Sequence, residues 1–272
     1  MVVLAGNSLI KLIAECKWDQ AKELLHDNGN LVRKWSVAPS LTGGIAASDI
    51  LPIHQACKSE GCTVEFLESL LWAYPESISL PETGFRRLPL SIAIRSRQPD
   101  EVIFFLLDKY PDSASIQDSL GRVSLHYAIS NHASMDVIRR LLTVCPSASN
   151  AGDALGWTPL HVAANMARSA EMVEELLKHG PEAVVSSTKK GNTPLMCAQM
   201  STGPDSQIIA VILRRKEEQF EQTAYFKNYR QAESEEKRSR NQYTKGGSVA
   251  GLQNRFFGVR RLQRRGSFRL VV

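Results

Sequence analysis

The sequence contains no run of about eighteen apolar residues, which excludes a membrane-spanning helix. It also lacks a G-x-S-x-G nucleophile elbow, a P-loop and an H-E-x-x-H pair. Gly84, Gly121, Gly156 and Gly191 stand singly in turns and form no phosphate cradle. Cysteine is scarce and scattered. Of Cys16, Cys57, Cys62, Cys145 and Cys197, only Cys57 and Cys62 lie close, and no second Cys or His pair follows at zinc-finger spacing. Cys57-x4-Cys62 could be a redox or metal pair, but Cys57 falls on the small-residue side of a short helix, where a buried thiol is the expectation. Catalysis therefore has no residues to rest on, and no metal, cofactor or small-molecule substrate is expected. The opening MVVLAGNSLIKLIAECKW has no basic start and carries Lys11 and Glu15 among its apolar residues. It is expected to be an amphipathic helix of the body rather than a secretory signal. Reduced thiols and the missing signal place the expected location in the cytosol or nucleus.

The formal net charge is +5, but it is unevenly distributed. Residues 221–272 hold twelve Lys/Arg against four Asp/Glu, whereas the other 220 residues hold 21 basic and 24 acidic side chains. The basic character belongs to the end of the chain, and the body is mildly acidic.

The dominant internal feature is a repeat. LPIHQA from Leu51, LPLSIA from Leu88, VSLHYA from Val123, TPLHVA from Thr158 and TPLMCA from Thr193 line up at intervals of 37, 35, 35 and 35 residues. Paired leucines keep the same phase (Leu70/Leu71, Leu106/Leu107, Leu141/Leu142, Leu176/Leu177). So do Tyr74-Pro75, Tyr110-Pro111, Cys145-Pro146 and Gly180-Pro181.

Each unit has a physical reading. Thr or its substitute caps a first helix, and Pro is tolerated in the first turn, where its missing N–H costs nothing. A second helix carries apolar residues at helical spacing, such as Met172, Val173, Leu176 and Leu177. The X-Pro pair disfavours helix in the preceding residue and ends it. Turn-forming stretches (Asp118 to Gly121, Asp153 to Gly156, Lys189 to Gly191) lead into the next unit. One such hairpin cannot bury its apolar face, whereas a stacked row can.

Gly156-Trp157-Thr158-Pro159-Leu160-His161-Val162-Ala163-Ala164 resembles the ankyrin signature, and Gly191 to Leu195 resembles its successor. The period here is two residues longer than the usual 33, which implies an altered connector. Ser91 and Met196 replace the signature histidine, Ser124 replaces proline, and Arg86 stands where a loop glycine is usual. A weaker copy occupies Leu9 to Ala14 and Trp18 to Leu25.

The resemblance implies an all-α ankyrin-repeat solenoid of stacked helix-turn-helix hairpins, about six units, with a C-terminal charged helix and a basic tail. The expected segments are a divergent capping repeat (1–35), an insertion loop (36–50), repeats (51–215), a charged helical extension (216–245) and a basic, disordered tail (246–272). It also implies a protein-binding scaffold whose concave face is made of hairpin tips and first helices. Carried over residue by residue, the partner-binding tips are Phe85, Arg86 and Arg87; Leu120 and Arg122; Leu155 and Trp157; and Lys189, Lys190 and Asn192. Lys58, Ser59, Arg95, Ser96, Ser130, Asn131, Asn165 and Met166 are the matching helix positions. His54, His126 and His161 recur at one repeat position. They could form a metal ladder or supply catalytic bases, but a residue placed once per unit is structural, and the resemblance makes it a strut between loops.

After the repeats, Pro204-Asp205-Ser206 starts a helix whose buried face is expected to be Ile208, Ile209, Val211 and Ile212. Gly246 to Val272 has six arginines and no acid, interleaved with Phe256, Phe257 and Leu262. Arg255, Arg260, Arg261, Arg264 and Arg265 could hold nucleic acid, anionic lipid or an acidic partner. A tail that only solubilises stays equally open. Arg264-Arg265-Gly266-Ser267 is similar to a basophilic kinase site, so phosphorylation of Ser267 would offset part of that field. The alternative function is thus a basic tail for nucleic acid or membrane, carried by the repeats.

Overall fold

A computed structural model describes residues 8–38 and 48–223 together with 227, 230, 231, 233 and 234. The chain divides into two units, residues 1–219 and 220–272. Ser267 and the tail arginines Arg255, Arg260, Arg261, Arg264 and Arg265 lie outside the described residues.

Twelve α-helices follow one another among the described residues. They are α1 (Ser8–Ala14), α2 (Trp18–Asp27), α3 (Pro52–Lys58), α4 (Val64–Ala73), α5 (Pro89–Arg95) and α6 (Asp100–Lys109). They continue as α7 (Ser124–Ser130), α8 (Met135–Val144), α9 (Pro159–Met166), α10 (Ala170–His179), α11 (Pro194–Met200) and α12 (Ser206–Glu221). Short and long helices alternate, as the repeat requires. Proline opens α3, α5, α9 and α11. Thr63, Ser134 and Ser169 cap α4, α8 and α10 by accepting from the backbone N–H three residues on, as N-cap hydroxyls do.

Two rows of helices result. The first helices meet in the order α1, α3, α5, α7, α9 and α11, and the second helices in the order α2, α4, α6, α8 and α10. Each helix therefore rests on its counterpart in the next unit, which is nearest-neighbour stacking. The paired leucines fill the space between rows, all of them buried except the half-buried Leu71. Trp18 packs edge-on against Phe66, with ring centroids 5.1 Å apart, and ties α2 to α4.

The altered connector is visible. Each X-Pro pair ends its helix and starts a 3-10 turn: Pro75–Ser79, Pro111–Ala114, Pro146–Asn150 and Pro181–Val185. Ser77 and Ser113 donate back to the carbonyls of Tyr74 and Tyr110, closing these turns. The 36–50 segment is more than a loop. Its ends are antiparallel strands, β1 (Ser36–Ala38) and β2 (Ser48–Ile50), with Val37 opposite Asp49.

One expected burial pattern is wrong. On α12 the buried residues are Ile209, Leu213 and Phe220, whereas Ile208 and Val211 are 56% and 58% exposed. At 100° per residue Val211 lies almost opposite Ile209, so one face cannot hold all four isoleucine and valine side chains.

The hairpin tips, the loops that precede each first helix, are laced together. Ser119 N–H donates to the Phe85 carbonyl at 2.8 Å, Ala154 to Leu120 at 2.8 Å and Lys189 to Leu155 at 2.9 Å. These contacts leave no room at the loop glycine. A Cβ on Gly121 (φ +73°) would stand 2.7 Å from the backbone nitrogen of Ala154, whereas one on Gly191 (φ +82°) would meet nothing within 4 Å. Gly121→Ala should therefore cost about 2–4 kcal/mol, from left-handed strain plus overpacking. Gly191→Ala should cost only the strain, about 1 kcal/mol. Urea denaturation of the two variants measures the difference.

Candidate functional site: the face of tips and first helices

The tips are held from within by one side chain each. Asp118 Oδ1 accepts from the N–H groups of Leu120 (2.9 Å) and Arg122 (3.0 Å). Asp153 Oδ1 does the same for Leu155 (2.8 Å) and Trp157 (2.9 Å). Thr188 Oγ1 takes the Asn192 N–H in the following tip. In the tip before Asp118 the chain has Thr83 at this position, and the longer Glu82 reaches in from one residue earlier to accept from Gly84, Phe85 and Arg87. These acceptors escaped the sequence reading. The recurring Asp-x-x-Gly spacing marks two of them, but Glu82 and Thr188 break the pattern.

Histidines tie three of the first helices, α3, α7 and α9, to a loop further along the chain. His54 Nδ1 accepts the Leu51 N–H (2.9 Å), and His126 and His161 accept those of Val123 (3.3 Å) and Thr158 (3.2 Å). With Nδ1 an acceptor, the proton sits on Nε2, which donates to a carbonyl: Leu80 (2.8 Å), Trp157 (2.9 Å) and Asn192 (3.0 Å) respectively. The three are struts, and every ring nitrogen is occupied. Among the described residues no group of three His, Cys, Asp or Glu could hold a metal. Burial pushes the His54 pKa down to about 4, and burial lowers His126 and His161 as well. Cys57 and Cys62 are likewise inert: burial raises the first well above its ordinary value and the second to about 12.

Six of the ten expected partner-binding residues line one groove, and Phe85, Arg86, Arg87 and Leu120 lie outside it. Arg122, Leu155, Trp157, Lys189, Lys190 and Asn192 line a groove of about 560 Å³ with Ser130, Val162, Asn165 and Met166 of the first helices. Leu155 is 58% exposed there, and Trp157 half-buried. Lys189, Lys190 and Arg86 are exposed, and Phe85, Leu120, Arg122 and Asn192 half-buried. Arg86 stands at φ +57°, the left-handed geometry its glycine counterparts adopt.

Arg87 is the correction. It is 2% exposed, so it is not available to a partner. Its guanidinium lies under the Phe85 ring (4.3 Å to the centroid), and Nε donates to Tyr127 Oη (3.2 Å) and pairs with Asp118 Oδ2 (3.4 Å). Tyr127 also donates to Asp118. The sequence could not show this, because the equivalent positions, Arg122, Trp157 and Asn192, are all partly open. Only the Tyr127 ring, standing where the later unit has Val162, makes a pocket for a buried guanidinium. Ser59, one of the matching helix positions, is buried too, donating nothing outward but accepting from Gln55.

Comparison with known proteins agrees with this architecture. Residues 125–223 match the family model described as ankyrin repeats, in three copies. Among curated proteins nothing matches the sequence. Among solved structures the chain is similar to one in the complex of a predatory endopeptidase from Bdellovibrio bacteriovorus with an immunity protein. The match has 20% identity, covers 78% of this chain and 98% of that one, and has a TM-score of 0.59, a likeness of fold. Among the described residues no helix is long and apolar enough to cross a membrane.

Two outcomes follow from the loop chemistry. Neutral struts in the fold face histidines that take up a proton below about pH 6.5 once unfolded, so the unfolded state binds more protons. Stability is complete above that pH and should be lost as pH falls from 6.5 towards about 4, visible as a falling urea midpoint, with a shallower fall in His54→Asn. Asp153→Ala strands two tip N–H groups and should cost about 2 kcal/mol, with faster amide exchange at Leu155 and Trp157.

Proposed function

Because residues 125–223 are ankyrin repeats, we propose that this chain is a protein-binding scaffold of about six such units, which captures a partner along the face of tips and first helices. The observation that carries this is the groove in which the exposed Leu155 and the half-buried Trp157 stand beside Arg122, Lys189 and Lys190. Large apolar groups exposed in a recess rimmed by basic side chains have the composition of an interface anchor. Tips anchored by Asp118, Asp153 and Thr188 hold that recess in shape before a partner arrives, which limits the ordering cost of binding. The endopeptidase complex adds the analogy of a fold seen in a protein–protein assembly. Its partner does not transfer, since the two chains share 20% identity.

Binding rather than catalysis suits the same residues. The histidines are committed to struts, and the buried thiols are raised away from reactivity. A location inside the cell accords with five unpaired cysteines.

Affinity purification with the intact chain and with a Leu155→Ala, Trp157→Ala variant tests the proposal. The variant should lose the captured protein, with at least a tenfold fall in affinity, while its urea midpoint moves little. Equal capture by both would assign binding elsewhere. A chain cut after residue 245 should still capture the partner, and loss on that cut would give the role to the basic tail.

A further inference from the structure

The charge on this body is sorted. Residues 1–220 carry an acidic surplus, and exposed carboxylates outnumber the bases on the second helices: Glu65 and Glu68 of α4, Glu101 and Asp108 of α6, Asp136 of α8, Glu171 and Glu174 of α10. Against them stand Lys109, Arg139, Arg140 and Lys178, with Arg139 paired to Asp136 and Glu171 and Arg140 to Asp108. The opposite face, from α5 onward, is basic. Arg86, Lys189 and Lys190 are exposed at the tips, Arg95 is half-buried at the end of α5, and Arg97 and Arg168 are exposed at the connectors beyond. The acids on that face are already engaged. Asp118 is taken by two tip N–H groups, Arg87 and Tyr127, and Asp153 by two N–H groups and Arg122 (3.4 Å). Glu82 holds three N–H groups of its own loop.

Two arginines concentrate this excess around one ring, and a third, Arg95, ends α5 at the repeat position that Ser130 holds in the groove. Arg87 and Arg122 place their guanidinium carbons 5.3 and 5.9 Å from the Tyr127 centroid. Arg95 feels both: burial first, then the charges of Arg87 and Arg122, lower its pKa, with Tyr127 and Asp118 opposing. Three cations meet two carboxylates here, and the surplus is a single positive charge. Among the described residues Arg95 has no ion-pair partner, and Arg87 Nη1 is buried without an acceptor. A cluster one negative charge short of balance matches a monoanion such as a side-chain carboxylate. Beside it, and sharing Arg122, is the apolar shelf of Leu155, Trp157, Val162 and Met166.

We propose, resting on the scaffold function above, that the partner segment bound on this face is an acidic peptide, with one carboxylate seated between Arg95 and Arg122 over the buried Arg87, a large apolar side chain on the Leu155–Trp157 shelf, and further acids towards Lys189 and Lys190. Carboxylates fit the guanidinium fork in pairs of parallel hydrogen bonds, and the water-poor setting of Arg87 strengthens the field they meet. Nucleic acid is less well matched. It is held by a continuous track of phosphate contacts, whereas here the cations are interrupted by the apolar shelf.

A random dodecapeptide library on beads, screened against the full chain, tests this directly. The expected selection is Glu or Asp within a few residues of Leu, Phe or Trp. The best selected peptide should lose at least tenfold in affinity when its acids become Gln, and about fivefold against Arg95→Gln or Lys190→Glu, with weaker binding as salt rises. Selected peptides that are neutral or basic, yet still lost on Leu155→Ala, Trp157→Ala, overturn the acidic chemistry and leave the scaffold function standing. Acidic peptides indifferent to both sets of variants, or no selected peptide at all, overturn both. A labelled twelve-nucleotide single-stranded RNA that displaces the acidic peptide and binds more tightly overturns the proposal in favour of nucleic acid.

Discussion

No helix pair in this protein can exist alone, and the contact that makes it part of a row is the bond between a first helix and a loop further along the chain. His126 and His161 cap their own helices with one ring nitrogen and hold the next tip with the other. Tip-to-tip backbone bonds run alongside, and the paired leucines fill the space behind. Packing supplies most of the driving force, since buried apolar area is the largest favourable term in folding. The hydrogen bonds supply register: a slip of one residue would leave a buried imidazole unpaired, at a cost comparable to the strength of the whole contact. Precise tips then follow from the helices being fixed.

Much of this was legible from spacing. Interval, helix order, the X-Pro stops and the glycine turns all recur once per unit, so chance has little room. The short helix at Ser8–Ala14 and its partner at Trp18–Asp27 appear where the weak copy placed them. The face of tips was also readable, because Leu155 and Trp157 are large apolar groups at loop positions. What stayed hidden depends on one side chain meeting another across units. Arg87 holds the same repeat position as Arg122, yet Tyr127 and Asp118, 40 and 31 residues away, convert it from a surface cation into a buried one. The α12 pattern failed for a different reason. Four apolar residues in five positions exceed one helical face, and sequence alone does not say which of them turn inward.

The interval of 37 residues between the Leu51 and Leu88 motifs has its own structural outcome. His54 does not reach the residue before α5 but stops at the Leu80 carbonyl. One extra residue falls in the Glu82–Arg87 tip, which closes over six residues through the Glu82 N–H and Arg87 carbonyl (3.0 Å), where the later tips close over five.

The struts all run in one sense, donor in the earlier unit and acceptor in the later, and this gives the row a direction. Stripping units from the later end leaves a buried imidazole N–H with nothing to receive it. Stripping from the earlier end frees only a carbonyl at a wet tip, which water satisfies at little cost. The two ends should therefore erode differently, with the far end unravelling in larger steps. Met196, which stands where the preceding units have their histidine, fits that asymmetry: the last first helix carries a thioether with no outgoing bond to lose.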